Sequence, residues 1–178
     1  QIYEGTNGIQ AMDLLGRKLG MKKGGPFMDY LAEMQKTIED ARAAGGLDEI
    51  SARVEKAVSR LGEVASILGK EAASENVLKA FSFAHPFLDV TGEVTMAWMH
   101  LWRAEIASRK LEKLAGSTDK EKILEKAGKN KDAAFYLGCI KTAEFFVMNM
   151  LPAAMGKLET IAAGNASAVE MPEASFGG

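Results

Sequence analysis

The chain has 178 residues, one cysteine, two histidines and a net charge of −2, from 22 Lys and Arg against 24 Asp and Glu. A chain this long buries a single-domain core without disulfide or metal. The lone Cys139 excludes an intramolecular disulfide and any Cys-based zinc site, and the charge balance points to no nucleic-acid partner and no anionic membrane.

Helical periodicity runs through the sequence, and no stretch alternates with period two, so the fold class is all-α. Ile9, Met12, Leu15 and Leu19 mark a short first helix over about 7–20, stopped by Gly20 and Gly24-Gly25-Pro26. A second helix starts after Pro26, with Phe27, Leu31, Met34, Ile38 and Ala41 on one face, and ends at Gly45-Gly46. A third carries Leu47, Ile50, Val54, Ala57, Leu61, Val64 and Leu68, with Asp48 or Ser51 as candidate N-cap. A fourth spans about Glu75 to Leu114. It is apolar on most sides from Phe81 to Trp102, which places it at the centre, and it is expected to kink at Pro86. Gly116 ends it. Thr118-Asp119-Lys120-Glu121 is a capping-box pattern opening a short, charged, exposed and mobile helix to about Ala127. The last long helix runs from about Asp132 to Ala163, striped by Ile140, Ala143, Val147, Met150, Ala154, Leu158 and Ile161 and bent at Pro152. Gly164-Asn165 stop it.

Short connections favour antiparallel neighbours. The expected architecture is an antiparallel four-helix bundle preceded by a short helix. The division is 1–22 for that helix and its loop, 23–164 for the bundle and 165–178 for a flexible tail. The first helix is read as an appendage whose apolar face belongs against something else, so that it detaches or docks on another copy. The opening Gln1-Ile2-Tyr3-Glu4 has neither an initiator Met nor a signal region, which suggests a piece of a longer protein. No run reaches the roughly 18 apolar residues of a membrane span. A cytoplasmic location is the expectation.

Most chemistry-bearing patterns fail on spacing. Di-iron bundles need Glu-x-x-His pairs, but Ser82 precedes His85 and Ala97 precedes His100 by three. Both histidines therefore read as packing or surface residues, and no metal site is expected. Gly20-Met21-Lys22-Lys23-Gly24-Gly25 lacks the spacing of a phosphate loop. The methionines, Trp98 and Trp102 read as core, Cys139 as a buried thiol, and Lys120 to Lys131 as a solvated face.

The opening segment differs. In Tyr3-Glu4-Gly5-Thr6-Asn7-Gly8, a carboxylate stands on a constrained turn beside an aromatic, just before a helix that Thr6 or Asn7 can cap. Free amides at that helix start can hold an anion. The whole string, Ile-Tyr-Glu-Gly-Thr-Asn-Gly-Ile-Gln with Leu14, Leu15, Arg17 and Lys18 after it, closely resembles the last segment of the acyl-CoA dehydrogenase flavoenzymes. Residues 27–164 are similar, in length and helical order, to the extra domain that some bacterial members append, such as those resembling 3-methylthiopropanoyl-CoA dehydrogenase.

The resemblance implies that Glu4 is the catalytic base, taking the α-proton of an acyl-CoA thioester while the β-hydride passes to flavin N5, which gives a trans-2-enoyl-CoA. It implies that Tyr3 and Gly5 contact substrate and that Thr6, Asn7 and Gly8 lie against FAD. It also implies a homo-oligomer in which the first helix belongs to the catalytic domain. Most of that domain is absent from this sequence, so the piece alone is expected to be inactive and to bind no FAD. The rival reading is a non-enzymatic helical module for interaction or oligomerisation.

Overall fold

The computed structural model describes residues 5–177, and every regular element among them is helical. They are α1 (Asn7–Asp13), α2 (Gly25–Ala44), α3 (Asp48–Ala72), α4 (Val77–Ser82), α5 (Ala84–Ala115), α6 (Lys120–Lys129), α7 (Lys131–Phe145), α8 (Leu151–Ala163) and α9 (Ser167–Glu170). Two π-turns, Leu14–Lys18 and Phe146–Met150, continue α1 and join α7 to α8.

Helix ends follow the glycines. Gly45 and Gly46 at φ 76° and 73°, Gly116 at 65° and Gly164 at 60° adopt the left-handed conformation that terminates a helix at little cost. The caps differ in detail from expectation. Neither Asp48 nor Ser51 caps α3: Leu47 holds the N-cap position, and Ser51 is buried with an unpaired hydroxyl. At α6 the cap is Asp119, one residue past Thr118. Its carboxylate accepts the Glu121 and Lys122 amides at 3.0 and 3.1 Å.

The expected fourth helix is two helices. Proline has no N–H for the Ser82 carbonyl, and its ring collides with the preceding turn. The chain leaves helical geometry at Phe83 (φ −95°, ψ 3°) and restarts, so Pro86 falls in the first turn of α5, where the missing donor costs nothing. Pro152 acts differently. Instead of a simple bend, the turn before it widens to π geometry, with the Leu151 amide donating to the Phe146 carbonyl. The extra residue shifts the apolar stripe: Met150 turns outward, 52% exposed, and Leu151 takes the core position.

The other stripe positions assemble as the spacing requires. Met34, Ile38, Ala41, Val54, Ala57, Leu61, Val64 and Leu68 close on Phe87, Val90, Val94, Ala97, Leu101, Ala143, Val147, Ala154 and Leu158 in one continuous core. Each large buried side chain contributes about 1.5–3 kcal/mol. Helix α5 touches α2, α3, α7 and α8 and is the centre of the bundle. Only its inner faces are covered, however. Met96, Met99 and Trp102, read as core, lie on its outward face with Ile106, and Trp102 is 46% exposed.

Sequence neighbours are antiparallel, as expected. Arg42 meets Glu55 between α2 and α3, and Lys157 meets Glu93 at 2.5 Å between α8 and α5. The two resulting hairpins then meet side by side in parallel. Tyr30 pairs with Thr95 and, farther along both helices, Asp40 pairs with Arg109, so α2 and α5 run the same way. On the opposite side α3 runs alongside α8, with Arg60 gripping Glu159 at 2.7 Å.

Helix α1 corrects the expectation of an unpartnered appendage. It packs on its own bundle through Ala11 and Leu15; of the predicted stripe Leu15 is buried and Leu19 packs on the core, whereas Ile9 and Met12 are 65% and 53% exposed. The π-turn turns Leu14 and Leu19 towards the core. It also brings Gly16 against Phe81, where an added Cβ would lie 3.1 Å from the ring. The stretch expected as a tail holds α9, which rests on α4, and a 3₁₀ turn at Glu173–Phe176.

Candidate functional site

Of the segment singled out by sequence, Tyr3 and Glu4 lie outside the described residues. Gly5 adopts φ +136°, a conformation that side chains rarely take, so the chain enters α1 by a turn only glycine makes freely. Thr6 follows at the N-cap position. Its φ of −106° and ψ of −26° carry the side chain away from the helix amides, so the cap is its backbone carbonyl alone, which accepts the Gln10 amide at 2.8 Å. Asn7 is the first helical residue, half-buried, and neither it nor Thr6 gives a side-chain cap.

Gly5, Thr6 and Gly8 are exposed, and a Cβ built on either glycine meets nothing within 4 Å. Three cavities among the described residues, two at the α2–α3 turn and one along α3 and α8, are lined by other side chains. The structure thus keeps Gly5, Thr6, Asn7 and Gly8 together on one loop but builds no wall around them. By themselves these residues do not enclose a flavin. Among the described residues no group of three His, Cys, Asp or Glu side chains converges as a metal site would need.

The histidines differ from one another. His85 is exposed beside Asp89, at 3.5 Å. His100 is half-buried, its ring 4.8 Å from that of Phe146 and its Nδ1 3.3 Å from the Arg103 guanidinium. Burial, and next to it the Arg103 charge, push the His100 pKa below the ordinary 6.5. On the α2–α5 seam, Trp98 Nε1 donates to Thr37 Oγ1 at 2.8 Å, and Thr37 donates to the Glu33 carbonyl. Tyr30 donates to Thr95, whose own hydroxyl is committed to Thr91 O. These polar pairs hold the seam; none is directed at a cavity that would take a substrate.

Residues 30–172 match the sequence model of a family described as acetyl-CoA dehydrogenase C-terminal like. The chain belongs to that family. A butyryl-CoA dehydrogenase of Syntrophomonas wolfei is 32% identical over 175 residues, covering 98% of this chain and 26% of that protein. A broad-specificity linear acyl-CoA dehydrogenase of Mycobacterium tuberculosis is 28% identical over 98% of the chain and 27% of its own length. A 3-methylmercaptopropionyl-CoA dehydrogenase of Ruegeria pomeroyi is 31% identical over 84% of the chain and 23% of its own length. Methylmercapto and methylthio name the same group, so this relative is of the kind the sequence resembles. The chain spans about a quarter of the length of the relatives it matches. The stretch that matches the family, residues 30–172, is the helical bundle and begins after the Gly5–Gly8 loop.

Proposed function

We propose that this chain is the C-terminal part of an FAD-dependent acyl-CoA dehydrogenase that converts an acyl-CoA thioester to a trans-2-enoyl-CoA. The observation that carries the reading is the alignment with acyl-CoA dehydrogenases over 98% of the chain; the Tyr3-Glu4-Gly5-Thr6 string supports the reading of the loop. In this reading residues 1–22 close the catalytic domain, 23–164 are the appended bundle and 165–178 the tail, in a cytoplasmic homo-oligomer. The bundle covers part of the catalytic domain or an oligomer interface, a role supported by the bare face of α5 at Met96, Met99, Trp102 and Ile106. Among the described residues no helix is long and apolar enough to cross a membrane.

Glu4 is the general base. An α-proton beside a thioester is weakly acidic, so its removal needs a carboxylate made more basic by desolvation and a thioester oxygen polarised by fixed donors. Gly5, with no side chain and an unrestricted φ, lets the substrate reach that carboxylate, and Tyr3 is assigned as a second substrate-contacting residue. Thr6, Asn7 and Gly8 face the flavin. The pocket that would hold FAD, the acceptor of the β-hydride, and the walls that dry the site come from the rest of the parent polypeptide, so the isolated chain is inactive.

The test is Glu4→Gln in the complete parent enzyme. A carboxamide keeps the side-chain volume but cannot accept a proton. Acyl-CoA binding should persist while formation of 2-enoyl-CoA falls by about 10²–10⁴-fold or more. Product formation near the wild-type rate would remove Glu4 from the base role.

A further inference from the structure

At the end of the bundle where α2 turns into α3, helix α6 bridges from α5 to α7 without lying flush on either. Beneath it is a cavity of about 400 Å³. Its wall is mainly aliphatic: Leu47 from the α2–α3 turn, Leu111 of α5, Ile123 and Leu124 of α6, and Leu137 and Ile140 of α7. A second cavity of about 330 Å³ shares Gly46, Leu47, Lys120 and Glu144 with it, so the two adjoin. A concave apolar volume of this size with a few polar groups at its rim has the make-up of a small-molecule site.

Helix α6 is held there weakly. None of its ten residues is buried, and Leu124 is 59% exposed. It hangs between Gly116, at φ 65°, and the extended Asn130, at φ −138°. Leu47 and Leu111 are buried, so the aliphatic surface that a ligand would cover is that of exposed Leu124 and half-buried Ile123, Leu137 and Ile140.

The rim selects the head group. Lys141 and Glu144 neutralise each other at 2.6 Å. Lys120, the first residue of α6, borders both cavities and makes no ion pair among the described residues. Residues 109–131, which carry the lid, hold eight cationic side chains against four acidic ones in a chain whose net charge is −2. Glu112 on the α5 wall and Glu49 in the adjoining cavity repel an anion from those two sides, which leaves the α6 side of the mouth, at Lys120, for its head group.

We propose that the cavity under α6 binds a small anionic amphiphile, with its aliphatic chain among Ile123, Leu124, Leu137 and Ile140 and its head group on Lys120. The probe is decanoate, below its micellar concentration, titrated into the 178-residue chain and followed by amide chemical shifts. Saturable binding is expected, with shifts concentrated in α6, the Gly45–Leu47 turn and the start of α7. Lys120→Glu, a change at an exposed position, should weaken decanoate at least about tenfold. Leu137→Trp, which fills the cavity, should abolish binding. Decyltrimethylammonium, with the same chain and the opposite charge, should bind far more weakly than decanoate. Absence of saturable binding, shifts centred elsewhere, equal binding of the cationic amphiphile, or an unchanged affinity in a folded Lys120→Glu variant would each overturn the assignment. Should Leu137→Trp fail to fold, the charge reversal and the shift map decide.

Discussion

His100 is held with its imidazole against Phe146 and its Nδ1 beside Arg103, and both neighbours favour the neutral ring. Its pKa is lowered first by burial and then by the Arg103 charge. In the unfolded chain the ring takes up its proton near 6.5, before it does so in the folded one. The stability it contributes is therefore complete above that pH and is lost as the pH falls from about 6.5 through the folded value. The melting midpoint should drop on going from about pH 7.5 to 5.5, and His100→Phe should flatten the profile over that window. An unchanged profile in the variant would assign the drop to other groups. Glu55 and Glu159, lowered from 4.5 by Arg42 and Arg60 respectively, lose their contribution only at more acid pH, so the two windows separate. In the sequence His100 is legible only as a packing or surface residue, because what sets its proton is Phe146, forty-six positions away on another helix. Glu4 shows the opposite case. Nothing in its residue type or spacing singles it out; the string around it does.

Element by element, helices and stops were legible wherever a side-chain pattern states them. The gaps lie at the prolines and at the π-turns. Pro86 and Pro152 both announce a disturbance, but whether a helix breaks or widens depends on what it packs against. The widening before Pro152 predicts a reversal of roles between neighbours. Leu151→Ala should cost about 2–5 kcal/mol and Met150→Ala within about 0.5 kcal/mol, although an unbroken period marks Met150 as the core residue. Denaturant titration of both variants tests this, and the reverse ranking would restore the simple helix. The same logic applies to α1. Leu15→Asp should lower the melting midpoint sharply, since an unpaired carboxylate would enter the core beside Ala11, whereas Met12→Asp should leave it nearly unchanged. If Met12→Asp proves as costly, the first half of the stripe is buried as well as the second. Removal of residues 1–22 should still leave a cooperative transition, because α2, α3, α5 and α8 share a core of their own, but at a lower temperature.

For the whole molecule, the all-α class, the central place of α5 and the antiparallel hairpins follow from stripe, length and short connections. The parallel meeting of the hairpins does not, because periodicity tells which face of a helix is buried and not which helix covers it. The same limit explains the outward face of α5. Met96 and Met99 sit among apolar residues in the sequence, and only the arrangement of four helices around α5 decides which side is left bare. The proposed loop was legible only as a family string, because its residue types and spacing alone do not distinguish it from an ordinary turn before a helix.

The seam between the hairpins holds both tryptophans of the chain: Trp98 bonded across to Thr37, and Trp102 stacked on it with ring centres 5.9 Å apart. Contacts within the α2–α3 hairpin are short in sequence, 13 positions at Arg42 and Glu55, whereas the seam joins residues 65 positions apart at Tyr30 and Thr95, as distant as the open end of the α5–α8 hairpin, 64 positions at Glu93 and Lys157. Closing such distant contacts is the slower event in a refolding chain. Indole emission therefore reports the docking of two halves, separately from the formation of the helices. In stopped-flow refolding, far-ultraviolet circular dichroism should recover ahead of tryptophan fluorescence, and Thr37→Val should slow or weaken the fluorescence phase alone. Superimposed traces would mean that the hairpins acquire their helices only as they dock.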